Sequence, residues 1–348
     1  MRCRETAFTG LRLERVRASA QHDGETFRNP TGKGAGLKGN PLPVLGEYFF
    51  GRNQRTPPGP LPLVRPHEAW LQRPETGLRV TWLGHSTLLL ELSGYRILTD
   101  PVFGQRASPL SFAGPKRFHP VPATVAELPP IDVVLLSHDH YDHLCASTMR
   151  ELARLQMPIV TSLGVGARLE ALGFEPGRIL ELDWGQQADV RGLCFTATPC
   201  QHFSGRSTTD RNHTLWSSWV IQGERHKLFF SGDTGLTEQF RDTGAAYGPF
   251  DLVMLEIGAF HESWGDIHLG PENALRVLEM LGGGTLLPVH WGTFSLAMHD
   301  WDEPAETLLR LAGAQGARVL TPRLGEVFEP ARIEGPSPWW REVQRREL

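Results

Sequence analysis

The stretch Ser137-His138-Asp139-His140-Tyr141-Asp142-His143 decides how this chain is read. It follows Ile131-Asp132-Val133-Val134-Leu135-Leu136, a short β-branched and apolar run of the kind that forms a buried strand. Four potential metal ligands, His138, His140, Asp142 and His143, thus fall within six residues where a strand ends. In a strand-to-loop turn, that spacing lets a ligand set converge without help from distant chain. His-x-His followed by Asp-His suits two metals side by side, with imidazoles mainly on one and a carboxylate on the other. This donor mix favours zinc, with iron or manganese as the other candidates. A solvated His-rich loop is the plain alternative, and the position directly after a buried strand speaks against it.

Composition sets the frame around this stretch. The 348 residues suffice for one large or two small domains with a sizeable core. Hydrophobic content of 40% and charged content of 21% are ordinary for a globular protein. The net charge is −4 and no long basic run exists, so nothing points to nucleic acid as a partner. The first twenty residues carry Arg but no apolar segment of a secretory signal, and no run reaches the length of a membrane-spanning helix. Cys3, Cys145, Cys194 and Cys200 lack CxxC spacing and read as free thiols in a reducing compartment. Cys145 and Cys200 lie close to the ligand stretches, yet fit better as small apolar fillers than as ligands. The expected location is cytoplasmic, with peripheral contact to the inner face of the membrane and no oligomeric state implied.

Residues 1–77 hold 9 Pro and 10 Gly without a sustained period, which predicts an irregular extension draped over the main body. Within it, Gly46-Glu47-Tyr48-Phe49-Phe50 reads as core packing or as one wall of a lipid groove. The domain proper spans 78–330. Strands are expected at 79–83, 87–92 and 95–99, in a meander with His85 in its first turn. A long loop over 100–130 follows, and loops of that length tend to be functional. Its Phe103, Phe112 and Phe118 around Lys116-Arg117 could embrace an amphipathic anion, or could be core residues beside a solvated basic pair.

After the His-rich loop, helices are expected at 147–156, 165–172, 236–241, 272–281 and 303–311. Strands are expected at 158–161, 179–182, 194–198, 215–222, 227–231, 252–257, 285–289 and 318–320. Each half thus begins with antiparallel strands and continues with alternating helix and strand. Two such halves, sheets facing and helices outside, give an α/β (α+β) chain folded as a four-layer αββα sandwich. Residues 331–348 form a C-terminal tail whose Trp339-Trp340 and arginines fit a terminal cap or a membrane contact. Three more ligand candidates stand where strands stop: His202, Asp233 and His290. Strand ends of such a sandwich share one rim, so these three can join the first cluster.

The order H-x-H-x-D-H, then His, Asp and His, resembles the metallo-β-lactamase superfamily. Closer still is its N-acylphosphatidylethanolamine-hydrolysing phospholipase D branch. The residues that carry this include Thr99-Asp100-Pro101-Val102-Phe103, Gly114-Pro115-Lys116-Arg117-Phe118, Leu215-Trp216-Ser217-Ser218-Trp219, Gly232-Asp233-Thr234-Gly235 and His290-Trp291-Gly292-Thr293-Phe294. The resemblance implies a metallo-β-lactamase sandwich with two Zn2+ per chain. His138, His140 and His202 would hold one ion, Asp142, His143 and His290 the other, and Asp233 would bridge them. It also implies His268 at the substrate, preceded here by Ile267 where the family usually has Gln.

The expected function is therefore a zinc-dependent phosphodiesterase of phospholipase D type. It would cleave N-acylphosphatidylethanolamine-like lipids to phosphatidate and N-acylethanolamine through a metal-bridging hydroxide. Asp142, Asp233 and His268 would carry the chemistry, with Lys116 and Arg117 binding substrate. Asp100 and Asp139 are candidates for orienting the ligand imidazoles. The partner is a phospholipid or other amphipathic phosphodiester. Two rival readings are a metal-dependent lactone hydrolase with the same ligands and a non-catalytic metal-stabilised scaffold.

Overall fold

The computed structural model describes residues 10–32, 46–47, 51–264 and 266–343. Residues 48–50, the aromatic part of the sticky segment, lie outside them. Helices α1 (Gly10–Ala18) and α2 (His67–Trp70) precede the first sheet. The meander β1 (Leu78–Gly84), β2 (Thr87–Leu92) and β3 (Tyr95–Thr99) leads into β4 (Val133–Leu136), α3 (Ala146–Leu152), β5 (Ile159–Ser162), α4 (Gly166–Ala171) and β6 (Ile179–Leu182). The second half comprises β7 (Gln187–Val190), β8 (Leu193–Thr198), β9 (Ser218–Gln222), β10 (Lys227–Phe230), α5 (Gln239–Tyr247), β11 (Leu252–Glu256), α6 (Gly270–Met280), β12 (Thr285–Val289) and α7 (Glu303–Gln315). Strand β13 (Val327–Phe328) then returns to pair with β1.

The strands form a seven-stranded sheet in the order β13-β1-β2-β3-β4-β5-β6 and a six-stranded sheet in the order β12-β11-β10-β9-β8-β7. Pairing is antiparallel through the meander and parallel from β3 to β6. The second sheet repeats this, antiparallel from β7 to β10 and parallel from β10 to β12. Period-two alternation explains the layers. Val80, Trp82, Leu88, Leu90, Ile97, Val133 and Leu135 join a large cluster that also holds residues of the second sheet. Their neighbours Leu83, Leu89, Leu98, Val134 and Leu136 face the other way, onto Met149 and Leu152 of α3 and Leu169 of α4. Each such buried side chain contributes ~1.5–3 kcal/mol.

Both chain ends described here are tied to this body. Arg12 of α1 bonds Glu170 (2.5 Å) and Glu181 (2.7 Å). Asn29 clamps the backbone of His202, donating to its carbonyl (2.9 Å) and accepting from its N–H (3.0 Å). Trp339 and Trp340 are buried among Trp82 and Trp291, so they cap the core and do not face a membrane. The strand expected at 318–320 is reduced to one bridge, Leu286 to Val319, because this short piece meets β12 only there. No helix among the described residues is long and apolar enough to cross a membrane.

Candidate metal centre

Parallel strands release their carboxyl ends on one edge of a sheet, and ligand-bearing turns gather there. Residues 137–143 follow β4, His202 follows β8, Asp233 follows β10 and His290 follows β12. The turns are tight. His85 (φ 54°), Asp100 (φ 33°), Ala259 (φ 55°) and His290 (φ 61°) all occupy the left-handed region, which costs residues bearing a Cβ and concentrates at functional sites. Gly232 (φ 55°) meets the His-rich loop so closely that a Cβ there would lie 2.6 Å from Ser137 Cβ. That approach sets Asp233 beside His138.

The expected ligands converge. His138, His140, His202 and Asp233 bring one donor atom each within 4.8 Å of one another, and so do Asp142, His143, His290 and His85. Asp233 Oδ2 lies 3.1 Å from both His143 Nε2 and His290 Nε2, and 3.8 Å and 3.9 Å from His202 and His138 Nε2. It thus touches both groups. Asp142 Oδ2 is 3.2 Å from His290 Nε2 and 3.5 Å from His143 Nε2.

Hydrogen bonds on the far ring nitrogens decide what the near ones offer. His143 Nδ1 donates to Asp100 Oδ2 (2.7 Å). Ser137 Oγ donates to the same oxygen (2.6 Å) and accepts from His138 Nδ1 (2.8 Å). His202 Nδ1 donates to the Ile267 carbonyl (2.9 Å). Each of these imidazoles, in its neutral and metal-binding form, turns an unprotonated Nε2 inward. His138 Nε2 and His202 Nε2 approach His140 Nδ1 to 2.9 Å and 3.3 Å. His140 Nδ1 has at most one proton for these two nitrogens, whereas a cation among the three would take a lone pair from each. The buried atoms His143 Nε2, Asp233 Oδ1 and His290 Nδ1 also make no hydrogen bond among the described residues. This nitrogen and carboxylate donor set fits divalent metal ions.

Charge follows the same geometry. Burial, then His143 and His140, hold His138 well below its ordinary pKa. Burial, then neighbouring histidines, does the same to His202. Burial would raise Asp142 and Asp233, but His143 and its neighbours reverse this and keep both well below the usual carboxylate range. Burial would lower His143 and His290; Asp233 and other carboxylates outweigh it, holding His143 well above its ordinary value and His290 at about 10. Protons on those two rings supply the balancing charge that bound dications would supply instead.

The remaining expectations divide. His268 lines the same cleft, 2.6 Å from Glu256 through its Nδ1. His85, in the first turn of the meander, packs in the cluster with Nε2 3.0 Å from Asp142 Oδ2. Asp100 bonds the imidazole of His143, a candidate ligand, whereas Asp139 bonds Arg168 and the Gly205 N–H and holds the loop. Arg117 is not at the cleft. It is buried, donates to the Val102 and Gly104 carbonyls and lies over the Phe294 ring. Lys116 is exposed and outside the cleft lining. Phe103 packs on the second core cluster, Phe118 on the first, and Phe112 is 77% exposed, so the three do not converge. Cys145 and Cys200 belong to neither metal-ligand group among the described residues.

Two residues emerge that the sequence reading did not single out. Glu256 closes β11 and forms, with Asp233, His268 and His290, a third convergent group. Burial and Asp233 lift its carboxyl above the ordinary range, while His268 opposes them. A carboxylate ending an apolar strand is the signal that could have found it. Arg211 stands at the cleft with its guanidinium over Phe203. The cleft measures about 510 Å³ and adds Phe203, Trp264, Ile267 and Leu296 to the ligands as its apolar wall.

A family profile described as "Beta-lactamase superfamily domain" matches residues 95–291. An uncharacterized protein of Mycobacterium tuberculosis is 47% identical over 303 residues, covering 86% of this chain and 80% of its own. The N-acyl-phosphatidylethanolamine-hydrolyzing phospholipase D 1 of Caenorhabditis elegans is 35% identical over 272 residues, covering 73% and 76%. Among solved structures, an isothiocyanate hydrolase from Delia radicum gut bacteria aligns with TM-score 0.58 at 24% identity, over 72% of this chain and 98% of its own. These likenesses identify the two-sheet architecture as the metallo-β-lactamase fold.

Proposed function

Because the chain belongs to the β-lactamase superfamily, and within it to the family of the nematode N-acyl-phosphatidylethanolamine-hydrolyzing phospholipase D, we propose that it cleaves phosphodiester lipids of that kind. It is a metal-dependent hydrolase, and the finer reading is a phospholipase D-type reaction on N-acylphosphatidylethanolamine-like substrates. The observation that carries this reading is one cleft in which the ligand cluster forms the floor and Phe203, Trp264, Ile267 and Leu296 form an apolar wall. A lipid phosphodiester needs both surfaces at once.

His138, His140 and His202 would hold one zinc-like ion and Asp142, His143 and His290 the other, with Asp233 shared. When bound, such ions lower the pKa of water from about 15.7 to about 7 and neutralise anionic phosphate oxygens. The chain's own part is orientation. The Asp100–Ser137 pair takes the Nδ1 protons of His138 and His143, so that their Nε2 lone pairs are the ones offered to an ion. The apolar wall excludes bulk water and takes acyl chain, and Arg211 attracts the anionic head. In the overall step water oxygen bonds to phosphorus and the P–O bond to the N-acylethanolamine breaks. The alkoxide takes the proton, leaving phosphatidate.

Ala107 packs in the small cluster of Val102, Cys145 and Phe294 together with Leu296, a cleft residue. The loop that leaves Ala107 exposes Leu110 (47%) and Phe112 (77%) at its tip. We assign this tip to contact with the membrane or micelle.

Zinc-loaded protein should release phosphatidate and N-acylethanolamine from N-acylphosphatidylethanolamine in mixed micelles, followed by mass spectrometry, faster than it opens any lactone. Rapid lactone opening with the lipid left intact would overturn the phosphodiesterase reading in favour of a lactonase.

A further inference from the structure

Glu256 is fully buried at the end of β11. Oε1 accepts from the Thr234 N–H (2.5 Å), and Oε2 accepts from His268 Nδ1 (2.6 Å). Oε2 also lies 3.8 Å from His290 Nδ1. The Thr234 N–H fixes Oε1 as an acceptor, and the short contact pairs Oε2 with His268 Nδ1. The His268 ring is held as well, stacked on His290 (5.2 Å between centroids, 27° between planes) and edge-on to His202 (5.3 Å, 63°). Its side chain is 11% exposed, and it lines the cleft.

A neutral imidazole owns one N–H. With that N–H given to Glu256, the nitrogen left for the cleft is Nε2, and it carries a lone pair. We propose that Glu256 is a positioning residue that fixes His268 in this tautomer, so that His268 reads a hydrogen-bond donor on the substrate, an amide N–H or a hydroxyl. In this tautomer His268 cannot donate to a phosphate or carbonyl oxygen, since two acceptors face to face repel. In an N-acylated phosphodiester head group the amide N–H is such a donor. The assignment of the amide rests on the proposed function; the tautomer does not.

Two measurements on the full-length, zinc-loaded protein test this. The first is ¹⁵N NMR of histidine-labelled protein, with His268 assigned by a His268→Asn variant. Nδ1 of His268 should carry the proton and Nε2 should be bare, a pattern lost in Glu256→Gln. A protonated Nε2 in the wild type would overturn the proposal. The second compares an N-acyl lipid with its analogue bearing an ester oxygen for the amide N–H. The wild type should prefer the amide in kcat/KM by about tenfold or more. Glu256→Gln should abolish that preference while keeping its metal content. A preference that survives in Glu256→Gln, or none in the wild type, would reject the donor-reading role. Absence of turnover on both lipids would instead reject the phosphodiesterase reading, and the NMR result would still decide the tautomer.

Discussion

Asp100 and His143 share a 2.7 Å hydrogen bond in which neither side chain meets solvent. The same Asp100 oxygen takes the Ser137 hydroxyl, which in turn holds His138. One carboxylate outside the ligand set thus governs a histidine from each group. Asp100→Asn keeps the shape and removes the charge. Metal affinity, measured by competition with a chromogenic chelator, should fall about ten- to a hundredfold. Unchanged affinity would reduce Asp100 to a turn residue.

Metal content is the second test. The cluster should bind about two zinc-like ions per chain, and a strong chelator should remove them together with activity. A single equivalent, or activity indifferent to chelator, would sink the two-metal reading.

Asp233 touches both histidine groups, so its charge is felt by each. Asp233→Asn should lower turnover by at least about 10²-fold and weaken retention of both ions. Wild-type turnover in that variant would take Asp233 out of the site.

His119 sets an acid limit on stability. Burial, then Arg117, pushes its pKa down from 6.5 to about 3. Below about pH 6.5 the unfolded chain takes a proton that the folded one refuses, so stability is full above that value and is lost as pH falls toward 3. The slope from this residue is at most about 1.4 kcal/mol per pH unit. Denaturation midpoints across this range should fall less steeply in His119→Gln than in the wild type. Parallel curves would clear His119 of the effect.

The convergence of the candidate ligand histidines was legible because each follows an apolar strand, and a strand's end fixes where its next residues go. β6 and β12 were readable residue for residue for the same reason. β7 was not, because Gln187 and Asp189 give it a polar edge pattern without a buried stripe. Lys116-Arg117 misled because a pattern of aromatics and cations does not report direction, and Arg117 turns inward to backbone carbonyls. Glu256 escaped notice because its meaning comes from Thr234 and His268, distant in sequence and brought to it only by the fold.

The Asn29 clamp on His202 has a consequence of its own. Asn29 fastens the strand end from which the His202 ring projects into the cluster, and it sits on a segment outside the sandwich. Cutting or peeling that segment would leave both sheets whole while slackening one corner of the reaction centre. The geometry of the reaction centre therefore depends on residues 10–32 as well as on the two sheets.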